Sequence, residues 1–294
     1  MHSRAMGARG GRRSEEAAEA RPPWPSRGPA AIDRFVVGEE GLVRLDSRTL
    51  AEASIELDGE TEGINTFAES ALHASLKTWL AGPGDRLEVS VAGRVVDLLR
   101  ADGERVEVQT KRLDKIAAKV LALARTGKVR VVHPVLAESV IVRLDPGTGE
   151  VLSERRSPKR GDLWSIFDEL VMAPSLIGAR NVKLEFLLVR SREARVRDGK
   201  GSWRRRGDRV LSRDLVEVLE SRVFAGRASW LRLLPPDLAL PCDSASLGAA
   251  LGIATDRARK VLYSFAKAGL LVEAGKRGRM KLYDKPEPRR KLSS

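Results

Sequence analysis

Cysteine is nearly missing from this sequence: Cys242 stands alone among 294 residues, so no intramolecular disulfide can form. Histidine is almost as scarce. One cysteine and three histidines leave no zinc-ligand spacing and no Cys/His nucleophile set. No Ser/His/Asp arrangement and no dinucleotide-binding glycine fingerprint can be read either. No run reaches the ~18 apolar residues of a membrane span, and no signal-peptide pattern appears. Aromatic residues make up only 4% of the chain, but a 42% hydrophobic content suffices for the core of one large or two modest domains. Acidic residues are the minority charge, 40 against 53 Lys and Arg, which leaves a net charge of +13. That sign favours a polyanionic partner, nucleic acid before anionic membrane.

Residues 1–30 are rich in Gly, Arg, Ala and Pro without hydrophobic period and predict a basic tail, as do residues 286–294 at the other end. Short apolar patches over 32–57 suggest strands or an irregular lead-in. A helix is expected over 66–80, capped by Asn65 or Thr66 and ended by Gly82-Pro83-Gly84. Its apolar face uses Leu72, Leu76, Trp79 and Leu80, and Glu69 and His73 share that face. A carboxylate there is costly unless paired or metal-bound, or unless it reaches solvent at the rim.

The stretch 94–111 reads as two strands, 94–100 and 105–111, joined by the turn residues Ala101-Asp102-Gly103. Alternation puts Asp97 on one strand face, and Glu107, Gln109 and Lys111 together on the next strand. Such residues form either a solvated face or a metal site with Asp97 and Glu107 opposed. Two converging carboxylates suit a hard divalent cation that also takes water and phosphate oxygens.

Asp97, about ten residues, then Glu107-Val108-Gln109 resembles the metal-binding motif of the PD-(D/E)XK nuclease superfamily. The expected order around it fits as well: helix 66–80, strand 86–91, the strand pair, helix 113–124 and strand 129–133. The Pro before the first acid is absent, and Gln109 stands where the family usually has Lys, with Lys111 two residues on. The resemblance covers roughly residues 60–145. It implies Asp97 and Glu107, with Glu69 from the first helix, as ligands of Mg²⁺ (or Mn²⁺), and Gln109 and Lys111 as catalytic partners. Arg112, Lys115 and Lys119 on the following helix would flank a phosphate backbone or form a solvated basic face.

Beyond this core, a hairpin is expected over 139–155 around Asp145-Pro146-Gly147-Thr148-Gly149, with a basic connection over 157–161. A helix over 163–172, a strand over 181–189 and a helix over 211–224 follow. Residues 190–213 are the most basic in the chain. There Trp203, beside Arg204, Arg205 and Arg206, could stack on a base while the arginines grip a backbone. The alternative is a turn with Trp packed inward.

Near the C-terminus, Asp243 or Ser244 caps a helix through Leu251, Gly252-Ile253-Ala254 turns, and Thr255 caps a longer helix to Ala268. Strands 270–273 and 280–283 flank a basic glycine-bearing tip. This order resembles a winged helix-turn-helix, whose second helix enters the major groove while the hairpin tip touches the backbone. The matching cations are Arg257, Arg259, Lys260 and Lys267 on the helix, and Lys276, Arg277 and Arg279 on the wing. Winged helices also serve protein contacts. Residues 163–283 further resemble an uncharacterised bacterial family, through the 198–207 stretch and Gly275–Arg279, which brings no activity with it.

The sequence therefore predicts an α/β protein. A restriction-endonuclease-like core (residues 31–160, a mixed sheet flanked by helices) precedes a basic connecting region of helices and strands (161–235, the α+β middle region) and a winged helix (236–285). The expected activity is metal-dependent hydrolysis of DNA phosphodiester bonds by a cytoplasmic, nucleoid-associated bacterial endonuclease. The alternative is a non-enzymatic DNA-binding regulator with a degenerate core. RNA is a further candidate partner, a homodimer is an open arrangement, and a membrane is excluded.

Overall fold

A computed structural model describes residues 63–201, 203 and 207–287, with side chains from residue 71 onward. The expected N-terminal tail, the 32–57 patches, the side chain of Glu69, residues Arg204, Arg205 and Arg206, and most of the C-terminal tail lie outside the described residues.

The protein is a mixed α/β fold with a mixed parallel and antiparallel sheet flanked by helices. Helix α1 (Gly63–Leu80) precedes β1 (Arg86–Val91), β2 (Arg94–Leu99) and β3 (Arg105–Val108). Helix α2 (Leu113–Ala124) then leads to β4 (Val129–Leu144) and β5 (Val151–Arg156). The long strands β6 (Val182–Arg197) and β7 (Asp208–Ala225) complete a sheet of order β1-β2-β3-β4-β6-β7, with β5 also on β4. β3–β4 and β4–β6 are parallel, and the other pairs are antiparallel. Parallel neighbours cannot be joined by a tight turn, and α2 supplies the crossover between β3 and β4.

α1 covers one face through Leu72, Leu76 and Leu80, which pack on Leu98, Val106, Val108, Val132, Leu187 and Val189. The other face is covered by α2 and by the elements after β5. These are a 3₁₀ turn (Leu163–Ile166), the single turn α3 (Phe167–Leu170), α4 (Gly226–Leu231), and two C-terminal helices, α5 (Ser244–Leu251) and α6 (Thr255–Lys267). The few aromatics are concentrated here. Trp230 stacks on Phe224 at 4.3 Å between centroids, and Phe167 meets Trp230 edge-on at 6.4 Å and Phe265 at 5.7 Å. Phe265 belongs to α6, so the C-terminal helices share one continuous core with the sheet. Strands β8 (Val272–Arg277) and β9 (Met280–Asp284) form the closing hairpin. Among the described residues, no helix is long and apolar enough to cross a membrane.

Several expectations need correction. Residues 211–224 are not helical but belong to β7. The spacing of Leu211, Leu215 and Leu219 imitates a helix, yet pairing with β6 along the whole of that stretch decides the outcome. The 161–235 region contributes β6 and β7, the two long strands at one end of the sheet. The helix expected over 163–172 shrinks to the 3₁₀ turn and α3. β3 ends at Val108 rather than running to Lys111. Thr255 opens α6 without capping it, whereas Asp243 caps α5 through the N–H groups of Ala245 (3.0 Å) and Ser246 (2.8 Å).

Candidate active site and basic surfaces

The pairing of Leu98 with Val106 and of Leu99 with Arg105 sets Asp97 opposite Glu107 at the next step of the β2–β3 ladder. The Val108 N–H crosses to Asp97 Oδ2 at 2.7 Å, which closes the pair at its open end. Asp97 Oδ2 also lies 3.3 Å from His73 Nε2 on α1, and Lys119 Nζ on α2 donates to Glu107 Oε2 at 2.7 Å. Each helix thus supplies a nitrogen to one carboxylate.

The two carboxyl groups titrate in opposite directions. Burial works against ionisation of both. At Asp97 the bonds from His73 and Val108 and the charge of Lys119 outweigh it, and its carboxyl sits below the ordinary value. At Glu107, 3% exposed, burial and the charge of Asp97 prevail over Lys119 and push its carboxyl up. Glu107 Oε1 is buried with no hydrogen-bond partner among the described residues.

Glu88 adds a third carboxylate. The β1–β2 register sets it opposite Asp97, and its backbone takes the left-handed value φ 52°, where a non-glycine residue carries strain. Its side chain is turned to Lys77 Nζ at 2.7 Å. Among the described residues no three His, Cys, Asp or Glu side chains converge closely enough to hold a metal ion by themselves.

The expected catalytic partners do not all assemble. The Gln109 N–H extends the parallel ladder to Val132 O at 2.9 Å, but its side chain turns into the following loop and donates to Lys111 O. Because β3 ends at Val108, strand alternation does not carry Lys111 to the carboxylates, and it lies exposed in the loop. The loop itself is held from behind. Buried His133 donates from Nδ1 to Gln109 O at 2.7 Å, its burial driving the ring toward the neutral form. Glu169 of α3 accepts from the Leu113 N–H at 3.2 Å and so caps α2 in place of Arg112, which offers no side-chain cap.

The sequence signals for the residues joining the pair were partial. Lys119 lies three residues after Ile116 and one before Val120, at the rim of the apolar face of α2, and it belongs to the basic set named for that helix. His73 was visible from its place on the apolar face of α1. Glu169 and His133 have no local signal, because their partners come from distant elements.

In the C-terminal unit the cations divide. Arg257 donates from one nitrogen to both oxygens of Asp162, each at 2.9 Å, and Lys260 reaches Asp168 at 2.7 Å. This face of α6 is therefore engaged with the body of the protein. Among the described residues Arg259 pairs only with Asp256 on its own helix, and Lys267 stands 5.8 Å from the centroid of the Tyr263 ring. Lys276, Arg277 and Arg279 sit on an exposed hairpin, with Arg277 also 3.5 Å from the carboxylate of Asp243. Trp203, 82% exposed, sits in the connection between the long strands β6 and β7.

Comparison with known proteins gives a family without an assigned activity. A family model described as "Domain of unknown function (DUF8091)" matches residues 70–225. That span contains Asp97, Glu107, Lys119 and both long strands, and ends before α4. An uncharacterized protein of Treponema pallidum (strain Nichols) is 32% identical over 228 residues, which cover 76% of this chain and 88% of that protein. No solved structure matches. By the extent of both matches, the chain belongs to the DUF8091 family.

Proposed function

We propose that the chain is a metal-dependent DNA endonuclease of the PD-(D/E)XK kind, directed by a C-terminal winged helix-turn-helix. The observation that carries this reading is the pair Asp97 and Glu107, abreast on neighbouring strands and served by His73 and Lys119. The order α1-β1-β2-β3-α2-β4 with β3 parallel to β4 supports it. So does the net charge of +13, and the exposed basic hairpin after α6 supports the directing role.

The residues fit a hard divalent cation. The donors are carboxylate oxygens, and the unpartnered Oε1 and raised proton affinity of Glu107 suit a site that gains positive charge. A Mg²⁺ or Mn²⁺ held by Asp97 and Glu107, with Glu69 as a further candidate, would supply charge neutralisation at a phosphodiester. His73 and the Val108 N–H orient Asp97, and Lys119 orients Glu107. Lys119 also brings to the site the cation that Gln109 does not provide, so the role of the family's lysine passes to α2.

The test is incubation of the protein with supercoiled, linear and branched DNA in Mg²⁺, Mn²⁺ or EDTA, beside Asp97→Ala and Glu107→Ala. Cleavage lost in EDTA and in both variants is the expected result. Residual metal-dependent cutting by Asp97→Ala overturns the assignment. Binding without cleavage under every condition favours the second reading, a non-enzymatic DNA-binding regulator. That reading is favoured by the side chain of Gln109 turning away from the carboxylates. Direct competition between DNA and RNA distinguishes the two nucleic acids.

A further inference from the structure

β4 changes partner along one edge. Its first residues, Val129–Val132, pair with β3, and Val140–Leu144 pair with β5. Between these stretches the ladder to β6 is interrupted by an irregularity between Leu136 and Glu138, and the ladder from β6 to β7 shifts again between Arg190 and Ser191. Bulges of this kind re-aim side chains and recur beside functional sites. The segment 157–161 returns along the exposed edge, its ends bonded through Ser157 N–H to Ser139 O (2.7 Å) and Gly161 N–H to Leu136 O (2.8 Å). Gly161 is required for that approach, since a Cβ there would lie 2.8 Å from Leu136 O and from Val135 Cγ1.

The result is a cavity of about 350 Å³ lined by Glu138, Ser139, Val140, Arg156, Arg160 and Arg190. Three guanidinium groups meet there over one carboxylate. Glu138 positions two of them, accepting from Arg190 Nε at 2.9 Å and lying 3.4 Å from Arg160. Arg190 is further tied to Glu217, which fixes its plane. Arg156 makes no ion pair among the described residues; its charge acts on Glu138 only at longer range, together with those of Arg190 and Arg160. Preorganised, planar guanidinium donors converging on one concavity recognise tetrahedral oxyanions. The cavity begins seven residues beyond Val131, the β4 partner of Glu107, roughly 23 Å along the strand. It is a separate site.

We propose that this cavity is a phosphate-binding site, with Arg156 and Arg160 as its principal contacts, Arg190 as a third and Glu138 as the residue that positions them. The phosphate is either a free anion or a backbone group of nucleic acid. The proposal rests on the cavity alone and stands whether or not the chain cleaves DNA.

The test uses the full chain in EDTA, so that hydrolysis plays no part. Calorimetric titration with inorganic phosphate and pyrophosphate forms one arm, and fluorescence anisotropy with a labelled twelve-nucleotide oligothymidine the other. Arg156→Ala and Arg160→Ala are compared with Arg155→Ala, which removes the same charge from the adjacent position of β5, on the opposite strand face. Both probes binding, or the oligonucleotide alone, with at least about tenfold weakening in Arg156→Ala and Arg160→Ala and under about twofold in Arg155→Ala, is the expected outcome. Binding of the small anions identifies a free-anion site, and binding of the oligonucleotide alone identifies a backbone site. Absence of binding by either probe to the wild type overturns the proposal, and so does equal weakening by all three substitutions, which would reflect general charge attraction.

Discussion

Lys119 on α2 reaches Glu107 on β3 with Nζ 2.7 Å from Oε2, and this one contact joins the helix after the strand pair to the carboxylate pair itself. Glu107 is buried, so removing its partner leaves a carboxylate in low dielectric with nothing to offset its charge. Lys119→Met is expected to lower stability by about 2 kcal/mol in urea unfolding at neutral pH, less than a fully buried pair would lose because Lys119 retains some solvent contact. It is also expected to abolish DNA cleavage while leaving DNA affinity within about twofold. Full activity in Lys119→Met would return the cationic role to another residue.

The opposite titration of the two carboxyls gives a pH test. Glu107 is raised in the folded state, so its contribution to stability is present below its ordinary value of 4.5 and is lost as pH rises through the folded value. Asp97 is lowered, so its contribution is present above 3.8 and is lost as pH falls through its folded value. Glu107→Gln is therefore expected to gain stability relative to the wild type as pH climbs from 4.5 toward neutrality, measured by thermal melting across a buffer series. A flat difference across that range would show that Glu107 ionises without penalty.

A cation that needs ionised Glu107 must bind with the same pH dependence. Millimolar Mn²⁺ is expected to raise the melting temperature of the wild type at pH 7.5, with the shift vanishing toward pH 4 and absent in Asp97→Asn and Glu107→Gln. The size of the shift follows ligand linkage, about 2.7 kcal/mol at a hundredfold excess over Kd. A shift equal to that of the wild type in both variants would locate the cation elsewhere.

The strand and helix order from α1 to β4 was legible because each element carries its own period: alternation in β1, β2 and β3, helical spacing in α2, and glycine turns between them. Asp97 and Glu107 were legible for the same reason, since register follows from a short turn. The 211–224 stretch was not, because β7 has apolar residues at helical spacing and is held as a strand only by β6, whose own length depends on the pairing. Nor could the sequence place Arg257 and Lys260. Their helix was correctly located, but the partners Asp162 and Asp168 lie more than ninety positions away and come together only through the packing of Phe265 on Phe167. The same limit applies to the arginine-lined cavity, which arises where β4 exchanges β3 for β5.

Those two ion pairs decide which part of the C-terminal unit can meet a nucleic acid. With Arg257 and Lys260 committed to the body, the exposed cations of this unit are Lys276, Arg277 and Arg279 on the hairpin, with Arg259 and Lys267 on the outer side of the helix. Removing all three hairpin cations as alanines is expected to reduce the slope of log affinity against log salt by as much as about 3, at roughly 0.9 per phosphate contact. The paired variant Asp162→Ala/Asp168→Ala should release Arg257 and Lys260 and steepen the slope by up to about 2. An unchanged slope in both variants would remove the unit from the binding surface.

The shared aromatic core makes a last prediction about cooperativity. Phe265 is fully buried on α6, 5.7 Å from Phe167, and Phe167 in turn meets Trp230, which stacks on Phe224 of the sheet. A C-terminal unit with its own core would melt separately, whereas this chain of contacts couples it to β7. Calorimetric melting is therefore expected to show one transition spanning sheet and C-terminal helices. Phe265→Ala should destabilise that single transition by about 3–5 kcal/mol, the usual cost of truncating a buried Phe. Arg257→Ala, which breaks only a partly exposed pair, should cost under about 1 kcal/mol. If Phe265→Ala instead split the melt into an early C-terminal step and an unchanged sheet step, the coupling through Phe167 and Trp230 would be too weak to make one cooperative unit, and α6 could leave the body without unfolding it.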